Sequence, residues 1–168
     1  HQDGHSHILA GTIPNCISYD PCFGYELAVV VHDGLKRMYV DQERVFYYLT
    51  LMNENYEHPE MPKGAEEGIK RGMYLFEKDE KATVQLLGSG VILREVIKAA
   101  KILREEYQIH SNIWSVTSFN ELARDGMACD EYNRLHPLTE ETKESWVSQQ
   151  LRGTDGIVVS ATDHMRAY

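Results

Sequence analysis

A chain of 168 residues is long enough for one domain or two small ones, and a compact body of that size buries about 70% of its unfolded surface. A formal net charge of -9 and a pI near 5.3 work against non-specific attachment to nucleic acid or anionic lipid, which need a basic patch, and leave small molecules or other proteins as partners. Cys16, Cys22 and Cys129 show no CxxC spacing, no apolar run reaches the roughly 18 residues of a membrane span, and no signal peptide opens the chain, so a reducing cytoplasm is expected.

The first residue is not Met, and the polar opening reads as though cut from a longer protein. HQDGHSH places His1, Asp3, His5 and His7 at alternate positions. In an extended segment they share one side, as a metal or proton-transfer cluster would, although a polar loop turning at Gly4 accounts for them equally. Ile13 to Ser18 is a short, mostly apolar piece stopped by Tyr19-Asp20-Pro21. From Phe23 to Tyr39, the residues Phe23, Leu27, Val30, Val31, Leu35 and Met38 form a helical stripe, with Glu26, Asp33, Lys36 and Arg37 off it. His32, beside the stripe, reads as a hydrogen-bonded helix residue rather than a ligand. Val45 to Met52 is nearly continuous in apolar and β-favouring residues, which predicts a strand covered on both faces in a parallel sheet. Asn53 to Pro62 has no periodicity and carries Pro59 and Pro62, so it reads as a linker and domain boundary. Its Asn53, Glu54, Asn55, Tyr56 and His58 are polar enough to line a cleft.

Ala65 to Arg71 predicts a short helix. Met73 to Phe76 and Thr83 to Leu87 flank the charged run Lys78-Asp79-Glu80-Lys81, the pattern of a hairpin. Val84 to Leu87, the Gly88-Ser89-Gly90 break, a helix to Tyr107 and the apolar run Ile113 to Val116 make a βαβ unit with parallel strands. A Gly-Ser-Gly turn at a helix start can cradle a phosphate or be a plain tight turn. Thr117 or Ser118 can cap a helix through Leu122 and Ala123, and Asp125-Gly126 and His136-Pro137 mark turns around another helical piece. Trp146, Val147 and Leu151 edge a helix ending near Gly153, Ile157 to Ser160 predicts a last buried strand, and Thr162-Asp163 reads as a helix cap. The fold class is α/β with a mostly parallel sheet.

The strings HQDGHSHILAGTIPNCISYDP, YELAVVVHDGLKRMY, NENYEHPEMPKGAEEGIKRGMYLFE, VQLLGSGVILREV, SVTSFNELARDG and RLHPL, in that order, resemble the homodimeric, bacterial type of acetyl-transferring pyruvate dehydrogenase. This is the thiamine-diphosphate-dependent component of the pyruvate dehydrogenase complex. Transketolases are similar at a greater distance, and a sister 2-oxo acid dehydrogenase is the nearest alternative. The resemblance implies that residues 1–62 are the C-terminal part of a pyrimidine-binding domain and that residues 63–168 are a truncated transketolase C-terminal-like domain. It implies thiamine diphosphate and Mg²⁺ as cofactors, a homodimer as the active unit, pyruvate as substrate, and the lipoyl domain of dihydrolipoyl acetyltransferase as partner. The family's GDG motif and activating glutamate lie upstream of this chain, so no cofactor-binding residue and no metal ligand are assigned here. His1 matches the family histidine at the reacting end of the cofactor and is the one catalytic residue expected. His5 and His7 match family positions without an assigned role. The other reading is a non-catalytic module for packing and dimerisation, and on either reading the chain by itself is expected to be inactive.

Overall fold

The computed structural model describes residues 4–138 and 141–165. In chain order these form α1 (Ser6–Gly11), β1 (Cys16–Tyr19), α2 (Gly24–Leu35) extended by a π-helical turn (Lys36–Val40), β2 (Phe46–Leu49), α3 (Ala65–Arg71), β3 (Met73–Glu77), β4 (Val84–Gly88), α4 (Ile92–Tyr107), β5 (Ser111–Val116), α5 (Phe119–Leu135), α6 (Trp146–Leu151) and β6 (Ile157–Ala161). The strands fall into a parallel pair, β1-β2, and a four-stranded sheet of order β3-β5-β4-β6. Within the larger sheet β4 is parallel to both β5 and β6, and β3 is antiparallel to β5.

The βαβ unit forms as its residue pattern requires. Val84 pairs with Ser111 and Gly88 with Ser115 in parallel register, and α4 lays Leu93, Val96 and Ala100 against Leu86 and Ile113. Each large apolar side chain removed from water in this way contributes about 1.5–3 kcal/mol. Gly88 lets the helix come close, since a Cβ there would meet the Cα of Leu93 at 2.8 Å. A second cluster joins Met73, Leu87, Trp114, Val116 and Leu122, with Trp146, Val147 and Leu151 of α6 packed onto it. Ser118 caps α5 by accepting a hydrogen bond from the Glu121 amide at 3.0 Å.

Five sequence expectations are corrected. Met73 to Phe76 does add an antiparallel strand to the parallel unit, as expected, but not in a hairpin with Thr83 to Leu87, because both edges of β4 are taken by parallel partners and β3 crosses to the far side of β5. The charged run is a connection, held by Asp79, whose amide donates to Asn112 at 2.9 Å and whose carboxylate lies 2.6 Å from His110 Nδ1. Asp125-Gly126 does not break the helix. α5 runs through it because Gly126 faces open space, where glycine costs about 1 kcal/mol, and Asp125 accepts a hydrogen bond from the Trp146 amide. β2 is half-exposed rather than covered, having β1 as its one ladder partner. β6 forms but is an edge strand, with Ile157 67% exposed. Thr162-Asp163 caps no helix among the described residues; instead Thr162 Oγ1 accepts from the His164 amide at 3.3 Å.

The helix α2 carries the largest departure. Its buried positions are Glu26, Val30 and Gly34, while Val31 and Leu35 of the expected stripe are 41% and 49% exposed. Glu26, expected on the polar side, is 0% exposed. One carboxylate oxygen accepts from the Cys22 and Phe23 amides at 2.6 and 2.9 Å, and the other accepts from Tyr74 of β3 and Ser115 of β5, both at 2.6 Å. Tyr25 in turn donates to the Tyr74 hydroxyl at 2.6 Å. This side chain rotates the helix and ties the first segment of the chain to the larger sheet.

Two outcomes follow for Glu26. Glu26→Ala leaves four buried donors without an acceptor and should cost about 3 kcal/mol or more of unfolding free energy in urea titration. Burial pushes the carboxyl above the ordinary glutamate value of 4.5, with the bonds from Ser115, Tyr74 and the two amides pulling it partly back. The folded state therefore binds this proton more readily than the unfolded state does. The associated stability is present below pH 4.5 and is lost as pH rises through the folded value. The melting temperature of the parent chain relative to Glu26→Gln should accordingly fall as pH is raised above 4.5.

Candidate active-site cleft

The polar residues that converge do so just past the carboxyl ends of parallel strands, where an open α/β sheet leaves a crevice. Asp20 follows β1, Thr50 follows β2, Ser89 follows β4, and Thr162 to His164 follow β6. Asp20, Thr50, Asp163 and His164 border a cleft of about 670 Å³, lined also by Asn53 and Glu54 and, on its apolar side, by Leu51, Met52 and Val91.

Asp20 is the hub. Its amide donates to the Thr117 carbonyl at 2.7 Å and its carbonyl accepts from the Gly90 amide at 3.0 Å. Thr50 Oγ1 donates to Asp20 Oδ1 at 2.5 Å, which uses its one proton, so His7 Nε2 must be the donor in its 3.0 Å bond to the same hydroxyl. Asp20 Oδ2 faces His164 Nε2 at 3.7 Å, and His164 Nδ1 lies 3.8 Å from Asp163 Oδ1. The His164 ring is 4.7 Å from that of His7. Ser89 donates to Thr162 Oγ1 at 3.0 Å, and the Met165 amide donates to the Gly4 carbonyl at 2.7 Å, closing the segment after β6 onto the residues before α1.

The Gly-Ser-Gly turn takes no external anion. Gly90 has φ +48°, and a Cβ there would run into the Asp20 carboxylate. The positive end of α4 is thus answered by this chain's own carboxylate.

His1 and Asp3 lie outside the described residues. His5 is the N-cap of α1 and His7 is buried within it, so these two occupy a helix rather than one side of an extended segment. His32 is exposed on α2 beside Asp33 and Lys36. Of the linker residues, Asn53 and Glu54 reach the cleft, and Glu54 pairs with Arg94 at 2.7 Å. Tyr56 and His58 turn instead to the start of α2, where the Tyr56 hydroxyl donates to the Cys22 carbonyl and the Gly24 amide donates to His58 Nδ1. Burial pushes the Cys22 thiol up to about 12, so it stays protonated and unreactive. Sequence reasoning missed Asp20, Thr50 and His164. The usable signal was position, since Asp20 closes an apolar run at the carboxyl end of a strand.

Residues 1–59 match the pyruvate dehydrogenase E1 component middle domain, and residues 72–168, more than half of the chain, match the transketolase-like TK C-terminal domain. The chain belongs to the transketolase-like C-terminal domain family. Over its whole length it is 56% identical to the pyruvate dehydrogenase E1 component of Pseudomonas aeruginosa and 54% identical to that of Escherichia coli. The resemblance read from the sequence motifs is therefore to enzymes of that name, and the chain spans 19% of their length. Among solved structures, transketolases from Leishmania mexicana and Campylobacter jejuni superpose with a TM-score of 0.64 at 17% identity. The match covers 96% and 95% of this chain and 20% and 21% of theirs, and it bears out the α/β, mostly parallel architecture. Among the described residues no helix is long and apolar enough to cross a membrane.

Thr50→Val should remove the link between Asp20 and His7 and lower stability by about 1–3 kcal/mol in chemical denaturation. Thr50→Ser, which keeps the hydroxyl, should restore most of the loss.

Proposed function

We propose that this chain is a segment of a thiamine-diphosphate-dependent pyruvate dehydrogenase. In this reading the complete enzyme decarboxylates pyruvate and reductively acetylates the lipoyl group of dihydrolipoyl acetyltransferase, as a cytoplasmic homodimer. The observation that carries the proposal is 56% identity, with no part of the chain left out, to a relative named pyruvate dehydrogenase E1 component. Residues 1–62 are assigned to the end of the pyrimidine-binding domain and residues 63–168 to the C-terminal domain. The adjoining family matches, 1–59 and 72–168, support this division.

The described residues do not fit the diphosphate end of the cofactor or its Mg²⁺. The glycine turn ahead of α4 is filled by Asp20, and no GDG motif is present. Those ligands are assigned to segments outside this chain. Thiamine diphosphate, when bound, supplies the electron sink for decarboxylation.

The role proposed for His1 is to donate a hydrogen bond to the carboxylate or carbonyl of pyruvate and to exchange protons near neutral pH. In the complete enzyme His1→Ala should lower kcat with pyruvate by about 10²- to 10⁴-fold while leaving thiamine diphosphate binding in calorimetry unchanged. Wild-type turnover in that variant would remove His1 from the reaction. The 168-residue chain by itself should show neither pyruvate decarboxylation nor micromolar binding of thiamine diphosphate with Mg²⁺.

A further inference from the structure

Asp20, Asp163 and His164 each present one ligand atom, and these three atoms lie within 4.8 Å of one another. We propose that they form a binding site for one divalent cation, with Zn²⁺ as the best-matched ion. The site is separate from the diphosphate-bound Mg²⁺ of the functional reading, whose ligands are assigned elsewhere, and it stands or falls without that reading.

The donor set decides the ion class. Two carboxylates and one imidazole suit Zn²⁺ better than Mg²⁺ or Ca²⁺, which favour oxygen donors alone. Three protein ligands leave a fourth position for water. With metal–ligand bonds of about 2.0–2.2 Å, tetrahedral donors sit about 3.4 Å apart. The 3.7 Å between Asp20 Oδ2 and His164 Nε2 is already near that spacing. Asp163 Oδ1 lies 3.8 Å from the other ring nitrogen, Nδ1, and its side chain, 52% exposed, is free to swing toward the Nε2 side.

The surroundings are those of a supported site. Asp20 Oδ1 is fixed by the Thr50 hydroxyl, itself held by His7, which turns Oδ2 toward His164. Such outer contacts orient metal ligands. The His164 and Asp20 side chains are 4% and 12% exposed, so the Asp20 carboxylate is poorly screened by water and the imidazole, which ligates in its neutral form, is held out of solvent. The cleft of about 670 Å³ gives an ion a path in. The charged lining also disfavours an anion: Glu54 is matched by Arg94, Asp20 lies beside the start of α4, and Asp163 is the carboxylate open to an incoming ligand. A 2-oxo acid is repelled there and a cation attracted.

The test is calorimetric titration of ZnCl₂ into the full chain, prepared without an affinity tag and dialysed against chelator. The expected result is one ion per chain with micromolar or tighter affinity, together with a rise in melting temperature. Asp163→Ala and His164→Ala should each weaken binding at least tenfold, whereas Glu57→Gln on the exposed linker should leave it unchanged. Because Asp163 is exposed, its variant keeps the test valid if changes at Asp20 or His164 disturb folding. Circular dichroism of each variant identifies any such disturbance. MgCl₂ should bind at least tenfold more weakly than ZnCl₂. Absence of saturable Zn²⁺ binding would overturn the proposal and leave His164 as an ion-pair partner of the two aspartates. Undiminished affinity in Asp163→Ala would overturn it as well.

Discussion

The buried carboxylate of Glu26 is the constraint on which the arrangement of this chain depends. A side chain with no exposed surface accepts bonds from the start of α2, from β3 and from β5. A buried ionisable group is tolerated when its hydrogen-bonding capacity is filled, and its geometry then becomes specific, because any other docking strands several polar groups at once. One side chain thereby sets both the rotation of α2 and the placement of the first segment on the larger sheet. The apolar contacts of α4 and α6 supply bulk burial, but an apolar surface can slide. A carboxylate with donors on two elements and a helix start cannot.

That placement brings the carboxyl ends of β1, β2, β4 and β6 to one side of the molecule. Asp20, Thr50, Ser89 and His164 come from four separate loops, and each loop contributes one or two polar residues to a shared network. Asp20 is central because it uses its amide, its carbonyl and both carboxylate oxygens. It also fills the turn at the start of α4, which removes that turn from ligand binding.

The chain spans 19% of the length of the pyruvate dehydrogenase E1 components it matches. The exposure of β6 at the sheet edge and of Val31 and Leu35 on α2 leaves apolar surface uncovered on both segments. The functional reading therefore concerns a part that contributes one edge of a larger site.

Local pattern was enough for the strand, turn and helix from Val84 to Tyr107, for α3, for the Ser118 cap and for the family resemblance, because each depends on residues close together in the chain. Pattern also named the wrong partner for β3. Ladder choice is settled by which strand edges are open, and both edges of β4 are taken by β5 and β6. Periodicity placed Glu26 outside and Leu35 inside, since a hydropathy stripe cannot register donors waiting on strands 48 and 89 residues away. For the opening histidines pattern offers an extended row or a polar loop, yet α1 buries His7 against Thr50 and puts His5 at its cap. Position at a strand end marks Asp20 in the sequence, but nothing there joins it to Asp163 and His164. The three are brought together where the residue after β1 docks on the carboxyl end of the larger sheet, through the bonds from Asp20 to Thr117 and from Gly90 to Asp20, a long-range contact that no single stretch of residues encodes.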